Sequence, residues 1–381
     1  MTGFTFETTP KIVCEDGAAE KLGALAKEIG VTTALIVTDK GLIDAGVLEA
    51  ALSGFKAAGV AAILFTDVLA DPPQTSVEAA IAFAKAQKVD GVIGFGGGSS
   101  MDTAKLVALL AGGTTQTLTD TYGVDKAVGP RLPLIQVPTT AGTGSEVTPI
   151  AIVTTLDDQK QGVVSSLLYP DIAVLDATLT LGLPARTTAM TGVDAMVHAI
   201  EGYTTKLKKN PISDALALKA LSLLSANIRA AVSDGRDLGA RRGMLQGSLL
   251  AGMAFANAPV GAVHALAYPL GGVFHVPHGL SNALVLAPVL AFNLPVAAPL
   301  YAELATAIAP NGKAATAENF VETLTALVAD MPMEQTLTDV GVRRQDIERL
   351  ATDAMKIERL LVNNPREMTH PDAVSLYLSV L

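Results

Sequence analysis

From Ala34 to Leu175, short β-branched runs alternate with helical patterns, and this alternation narrows the possible folds more than any other feature. The run ALIVTD over Ala34–Asp39 reads as a buried strand, and Leu48, Ala51, Leu52 and Phe55 follow it at helical spacing. Ala61–Phe65 is a second strand before the turn-rich Asp71-Pro72-Pro73. A helix over Ser76–Gln87 then leads into a third strand, Gly91–Phe95. Leu132–Val137 and Ile172–Leu175 complete the series, while Ile150–Thr155 and Gly162–Ser166 suit a hairpin across the polar connection 156–160. Strands that alternate with helices in this way form a parallel sheet covered on both faces.

After Pro184 the strand-like runs stop, and Ala/Leu/Met-rich segments such as Ser213–Val232 and Arg241–Ala256 carry the 3.6-residue period instead. Pro184 suits the first turn of a helix, which places the break near 183. The expectation is an α/β domain over 1–183 and an all-helical domain over 184–381. A chain of 381 residues accommodates two domains. With 50% hydrophobic and 17% charged residues it builds a large core and is not a disordered chain.

The net charge of -10, without a basic run, leaves no electrostatic footprint for nucleic acid. A lone cysteine, Cys14, excludes an internal disulfide, a cysteine zinc cluster and a dithiol redox pair, and fits a reducing cytoplasm. The N-terminus lacks the charged and apolar regions of a signal peptide, and apolar runs such as Leu284–Leu290 are too short to span a bilayer. No membrane or nucleic-acid partner is expected, and the localisation expected is cytoplasmic.

The strand at 91–95 runs into Gly96-Gly97-Gly98-Ser99-Ser100-Met101-Asp102 and then a helical pattern over Thr103–Leu110. Glycines admit a ligand close to the backbone, and a helix N-terminus favours a diphosphate. The same glycines also serve an ordinary βα turn, and the usual dinucleotide fingerprint is absent because Ser99 stands where its third glycine would be. Asp39 ends the first strand, where a carboxylate accepts ribose hydroxyls and repels a 2′-phosphate; helix capping is the alternative. A second loop after a buried strand, Pro138 to Glu146, offers Thr139, Thr140 and Thr143, whose hydroxyls also suit turn chemistry.

In the helical half Asp194 and His198 are spaced i, i+4 and project from one helix face. His264 and His278 add two imidazoles in a chain with five histidines. Three nitrogens and one carboxylate oxygen suit Fe²⁺ or Zn²⁺ better than Mg²⁺ or Ca²⁺.

Three blocks in order resemble the iron-containing, group III alcohol dehydrogenase family: Gly96-Gly97-Gly98-Ser99-x-x-Asp102 with Pro138–Glu146; Ala173–Asp176 through Pro184 to Gly192–Met196 and Glu201; and Gly261 through His264, Tyr268, Gly271-Gly272 and His275 to His278-Gly279. The resemblance covers essentially the whole chain. It implies the architecture shared with dehydroquinate synthases, and Asp194, His198, His264 and His278 as ligands of Fe²⁺ or Zn²⁺. It further implies NAD held by Gly96, Gly97, Gly98, Ser99 and Asp102, with Thr139, Thr140 and Thr143 along it and Asp39 at the ribose. Lys160 matches a cofactor-contacting lysine of the family, its plain reading being a solvated turn residue, and Leu179 and Gly182 fall where the family's chain passes the cofactor. A homodimer or larger homo-oligomer is implied, with a strand over Thr5–Val13 available for pairing between subunits.

Many members carry a second histidine four residues after the first ligand of the last block, where this chain has Tyr268. Tyrosine is a poor proton carrier at neutral pH, which leaves His275 as a candidate relay or a polar lining residue. The expected activity is metal-dependent, NAD-linked interconversion of a primary alcohol and its aldehyde. The alternative is a hydroxyacid-oxoacid transhydrogenase or hydroxy-acid dehydrogenase, which needs a cation for the substrate carboxylate; no arginine lies within the ligand blocks. The basic clusters of dehydroquinate synthases are missing, and a ligand-binding protein without turnover is the reading from outside enzymology.

Overall fold

Among the described residues nine strands supply the framework: β1 (Lys11–Cys14), β2 (Thr33–Val37), β3 (Ala61–Phe65), β4 (Gly91–Gly96), β5 (Gly123–Val124), β6 (Leu134–Pro138), β7 (Ile150–Thr154), β8 (Lys160–Val164) and β9 (Ile172–Leu175). They come from a computed structural model that describes residues 3–157, 159–308 and 314–381. The polar connection 156–160 includes Asp158, which lies outside the described residues.

Six strands form one sheet in the order β1-β9-β6-β4-β2-β3, and each neighbouring pair runs parallel. Five helices accompany it: α1 (Leu22–Glu28), α2 (Lys40–Asp44), α3 (Glu49–Ala58), α4 (Gln74–Gln87) and α5 (Gly98–Ala111). Successive strand residues face opposite ways, so Leu35, Val92 and Leu134 pack with Val77, Ile81 and Leu106 of α4 and α5. Ile36, Ile93 and Ile135 pack with Leu22 and Phe55 of α1 and α3. This two-sided burial is why β4 and β9 read as continuous apolar runs, and β6 as an apolar run broken only by the buried Gln136.

The chain passes from β2 outward to β3 and returns to β4 on the other side of β2. The order reverses there, and such switch points at strand carboxyl ends are where open α/β sheets take ligands. Asp39 follows β2 and the glycine-rich turn follows β4.

β7 and β8 form the expected antiparallel hairpin, with Ile152 opposite Gly162. β5 adds a parallel third strand to it, too short for its two residues to show a period. The strand expected over Thr5–Val13 is a correction: only Lys11–Cys14 is extended into a ladder, and it pairs within the chain to β9. Earlier residues are held otherwise, because the Asn257 side-chain amide bonds both the N–H and the C=O of Glu7, each at 2.8 Å, and takes a strand partner's place. Residues through Glu7 accordingly group with Leu183–Leu381, and Thr8–Gly182 is the other compact unit.

No strand occurs among the described residues after β9. The helices are α6 (Ala185–Thr204), α7 (Pro211–Ser233), α8 (Leu238–Asn257), α9 (Ala262–Phe274), α10 (His278–Ile308), α11 (Ala317–Ala329), α12 (Ile347–Met355), α13 (Glu358–Leu361) and α14 (His370–Ser379). Pro184 is the extended residue before α6 and not its first helical one. From Thr188 onward α6 is buried on nearly every face, packed against α7, α8 and α10.

The expectation that apolar segments fall short of bilayer length does not hold. α7 and α10 are long and apolar enough to cross a membrane by length and composition. Pro288, Pro295 and Pro299 punctuate α10 without ending it, and it buries Asn282, Asn293 and Tyr301 among its apolar residues.

Candidate metal centre

Asp194 and His198 stand one turn apart on α6, His264 lies in the first turn of α9, and His278 opens α10. Each offers one ligand atom, and the four atoms lie within 4.8 Å of one another. His264 Nε2 is 3.0 Å from His198 Nε2 and 4.0 Å from Asp194 Oδ1, while His278 Nε2 is 3.6 Å from the same oxygen. Ions bound by imidazole and carboxylate at about 2 Å bridge separations of this size. Asp194, His198 and His264 are buried, and only His278 is partly exposed.

Packing explains the convergence. A Cβ on Gly279 would stand 2.5 Å from the Met190 carbonyl oxygen, so glycine lets the start of α10 lie directly on α6. Phe255 stacks on the His198 ring with centroids 4.2 Å apart.

Glu201, one turn beyond His198, accepts the backbone N–H of Val263 at 2.7 Å and lies 2.6 Å from His264 Nδ1. A proton on Nδ1 shared with this carboxylate leaves the His264 Nε2 lone pair facing the cluster. Burial pushes the Asp194 carboxyl up, but His198, His278 and His264 and the Asn282 amide outweigh it and hold it below the ordinary aspartate value. The donor set fits a borderline divalent ion.

Tyr268 follows His264 by one turn, and its ring centroid is 6.1 Å from that of His278. The Arg359 guanidinium lies over the same tyrosine, 5.8 Å from its centroid. His275 is exposed and ends α9 in the left-handed conformation at φ 54, outside the four-ligand cluster.

In the α/β unit the two expected loops meet. Thr139 donates its N–H to the Gly96 carbonyl at 3.0 Å, and a Cβ on Gly98 would be 2.8 Å from Thr143 Cγ2. Gly97 caps α5 and lies beside Thr140. The helix therefore begins at Gly98, five residues before the pattern at Thr103 suggests, because glycine hides it from propensity. Ser99 Oγ accepts the Asp71 N–H at 3.2 Å, and Thr143 Oγ1 accepts that of Ser145 at 3.2 Å.

Other candidates have structural duties. Asp39 caps α2 by accepting the Leu42 N–H at 3.1 Å. Asp102 accepts from Ser145 Oγ at 2.7 Å and from the Ile152 N–H at 2.9 Å, which ties α5 to the loop before β7 and to β7 itself. Lys160 is no solvated turn residue: its ammonium lies 2.8 Å from Asp71 Oδ1 and 2.9 Å from Thr154 Oγ1, with 10% of the side chain exposed. Leu179 packs on the α1/α3 side of the sheet, while Gly182 is exposed with open space around it.

Two family models match the chain, iron-containing alcohol dehydrogenase over residues 9–177 and the C-terminal part of the same family over 188–381. The chain belongs to the iron-containing alcohol dehydrogenase family. It is an oxidoreductase of that type. A long-chain-alcohol dehydrogenase of Geobacillus thermodenitrificans is 39% identical over 95% of this chain and 92% of that protein. The crystal structure of a 1,3-propanediol oxidoreductase superposes with a TM-score of 0.95 at 33% identity, covering 100% of both chains. A sulfoacetaldehyde reductase from Bifidobacterium kashiwanohense, in complex with NAD⁺, superposes at 0.90 with 28% identity over 100% of this chain and 99% of that one.

Within this family member, three side chains stand out that the sequence did not place at the sites. Glu201 falls three residues after His198 and Asn282 four after His278, so helical spacing alone puts both on ligand faces. Lys105 gives no such signal, because its partners Ser145, Thr148 and Ile150 are distant in the chain.

Proposed function

We propose that this enzyme is a metal-dependent, NAD-linked dehydrogenase that interconverts a primary alcohol and its aldehyde. The observation carrying this reading is the convergence of four ligand atoms within 4.8 Å, three of their side chains buried. When bound, Fe²⁺ or Zn²⁺ supplies Lewis-acid polarisation of the substrate oxygen and NAD supplies the hydride acceptor. Asp194, His198, His264 and His278 hold the ion, and Glu201 keeps the His264 Nδ1 proton turned away from it. The N-terminus of α5 at Gly97, Gly98 and Ser99 presents N–H groups to a diphosphate, with Thr139, Thr140 and Thr143 alongside. Asp39, Asp102 and Lys160 support this loop set, and Asp39 also accepts ribose hydroxyls. Tyr268 flanks the substrate side of His278, and the exposed His275 ring exchanges the released proton with solvent. The enzyme works in the cytoplasm as a homodimer or larger homo-oligomer, in keeping with its single cysteine, Cys14, and with β1 at the sheet edge.

A second reading gains support from Arg359. The hydroxy-acid chemistry of the family needs a cation near the metal, and Arg359 supplies one beside Tyr268 from far along the sequence. A substrate bearing a carboxylate or sulfonate would pair with it.

Chelated protein, reconstituted anaerobically with Fe²⁺ or Zn²⁺, tests both readings by NADH oxidation against short neutral aldehydes, acid-bearing aldehydes and 2-oxo acids. Metal-dependent turnover of neutral aldehydes is the expected result. Exchange between a hydroxy acid and an oxo acid without net NADH consumption would replace it with the transhydrogenase reading.

A further inference from the structure

Asn282 lies one turn after His278 on α10 and is fully buried. Its Nδ2 is 2.6 Å from Asp194 Oδ1 and 3.3 Å from the Nε2 atoms of both His264 and His278. We propose that Asn282 is a positioning residue of the metal centre, whose amide N–H fixes the Asp194 carboxylate in the orientation that ligation requires. The inference rests on the proposed reading of the cluster as a metal site.

Two features of the surroundings carry it. Asp194 is an acceptor, and His264 Nε2 is one too once its Nδ1 proton is shared with Glu201, so the amide nitrogen and not the oxygen belongs on this side. The amide oxygen, turned away, is buried and has no hydrogen-bond partner among the described residues. Burying such a group without a partner is unfavourable, so the amide must be offset by what its donor side does. The asparagine is therefore explained by its N–H.

The choice of an amide is chemically specific. A lysine or arginine would hold the carboxylate equally well, but its charge would oppose a divalent ion at the same oxygen. A neutral donor restrains the rotation of the carboxylate and leaves its negative charge to the metal. Glu201 does the matching service for His264, so the two buried side chains fix one oxygen ligand and one nitrogen ligand from different helices.

The test compares the intact protein with Asn282→Leu, which removes the donor at similar volume, and Asn282→Asp, which keeps the shape but only accepts. Zn²⁺ affinity is measured by competition with a fluorescent chelator, and Co²⁺-loaded samples give the visible ligand-field bands. NADH affinity and the melting temperature of the metal-free protein report on folding. Both variants should bind Zn²⁺ about 10- to 100-fold more weakly, with altered Co²⁺ bands and unchanged NADH affinity. Native Zn²⁺ affinity and Co²⁺ bands in Asn282→Leu would overturn the proposal. Tighter binding by Asn282→Asp would overturn it differently, by making position 282 a ligand site and not a donor site. Failure of the intact protein to bind any metal would refute the proposed function itself, a result separate from these.

Discussion

Each unit buries a cluster of ionisable side chains, and the two clusters are built on opposite principles. In the α/β unit Lys105 is fully buried and donates to Ser145 Oγ at 2.8 Å, Thr148 Oγ1 at 3.1 Å and the Ile150 carbonyl at 2.8 Å. Ser145 in turn donates its hydroxyl hydrogen bond to Asp102, so one lysine and one aspartate lock α5 to the loop before β7. The Lys105 ammonium there meets three acceptors, while both oxygens of the buried Glu146 carboxyl beside it lack a hydrogen-bond partner among the described residues. In the helical unit the His198 and His264 Nε2 atoms stand 3.0 Å apart with Asp194 beside them. That arrangement suits the shared cation proposed above. A buried network closed by its own hydrogen bonds holds a fold, whereas one whose lone pairs converge defines a binding site.

The sharpest way to break this contrast is to remove a converging ligand. His264→Ala should abolish stoichiometric metal and lower aldehyde reduction by roughly 10³-fold or more, while NADH affinity stays within about twofold. Metal analysis and fluorescence titration of NADH check this, and retained activity would take His264 out of the site. Glu201→Ala should act less severely, weakening metal binding by about 10- to 100-fold because the His264 ring loses its orientation. Chelator competition measures it, and full affinity would show that packing alone orients the ring.

Lys105→Met sharpens the other side. It strands three acceptors and an aspartate in the interior, so the α/β unit should lose about 3 kcal/mol in urea unfolding. Added Zn²⁺ should not restore the loss, and metal content should remain native. The smallest effect concerns pH. Burial pushes the Glu146 carboxyl up to about 7, opposed by its own backbone hydrogen bond and by Lys105. The folded state then binds a proton more tightly than the unfolded state, so its stabilising contribution is complete below 4.5 and is lost as pH rises through 7. Glu146→Gln should flatten that decline in the melting temperature between pH 5 and 7. Above pH 8 the sign reverses for Lys105, whose burial lowers it to about 8.

Much of this was legible in the chain because the signals are local. Ala61–Phe65 and Ile172–Leu175 coincide with strands, since an apolar run bounded by polar turns leaves little choice of ends. Asp194 and His198 share a face by spacing alone, and the structure adds His264 and His278 to them. Signals that depend on distant partners were silent. The Thr5–Val13 run lost its first half to an asparagine on α8, and Lys160 found Asp71 from across the unit. Arg359 stands well beyond the last ligand in sequence, which is why the ligand blocks showed no cation.

The four candidate ligands come from three helices of one unit. An ion held by them is a cross-link between remote points of the chain. It removes conformations from the unfolded helical unit much as a covalent staple would. With an ion bound as proposed, chelation would loosen the helices and leave the α/β unit folded, so metal supply would set how long the protein survives as well as how fast it turns over.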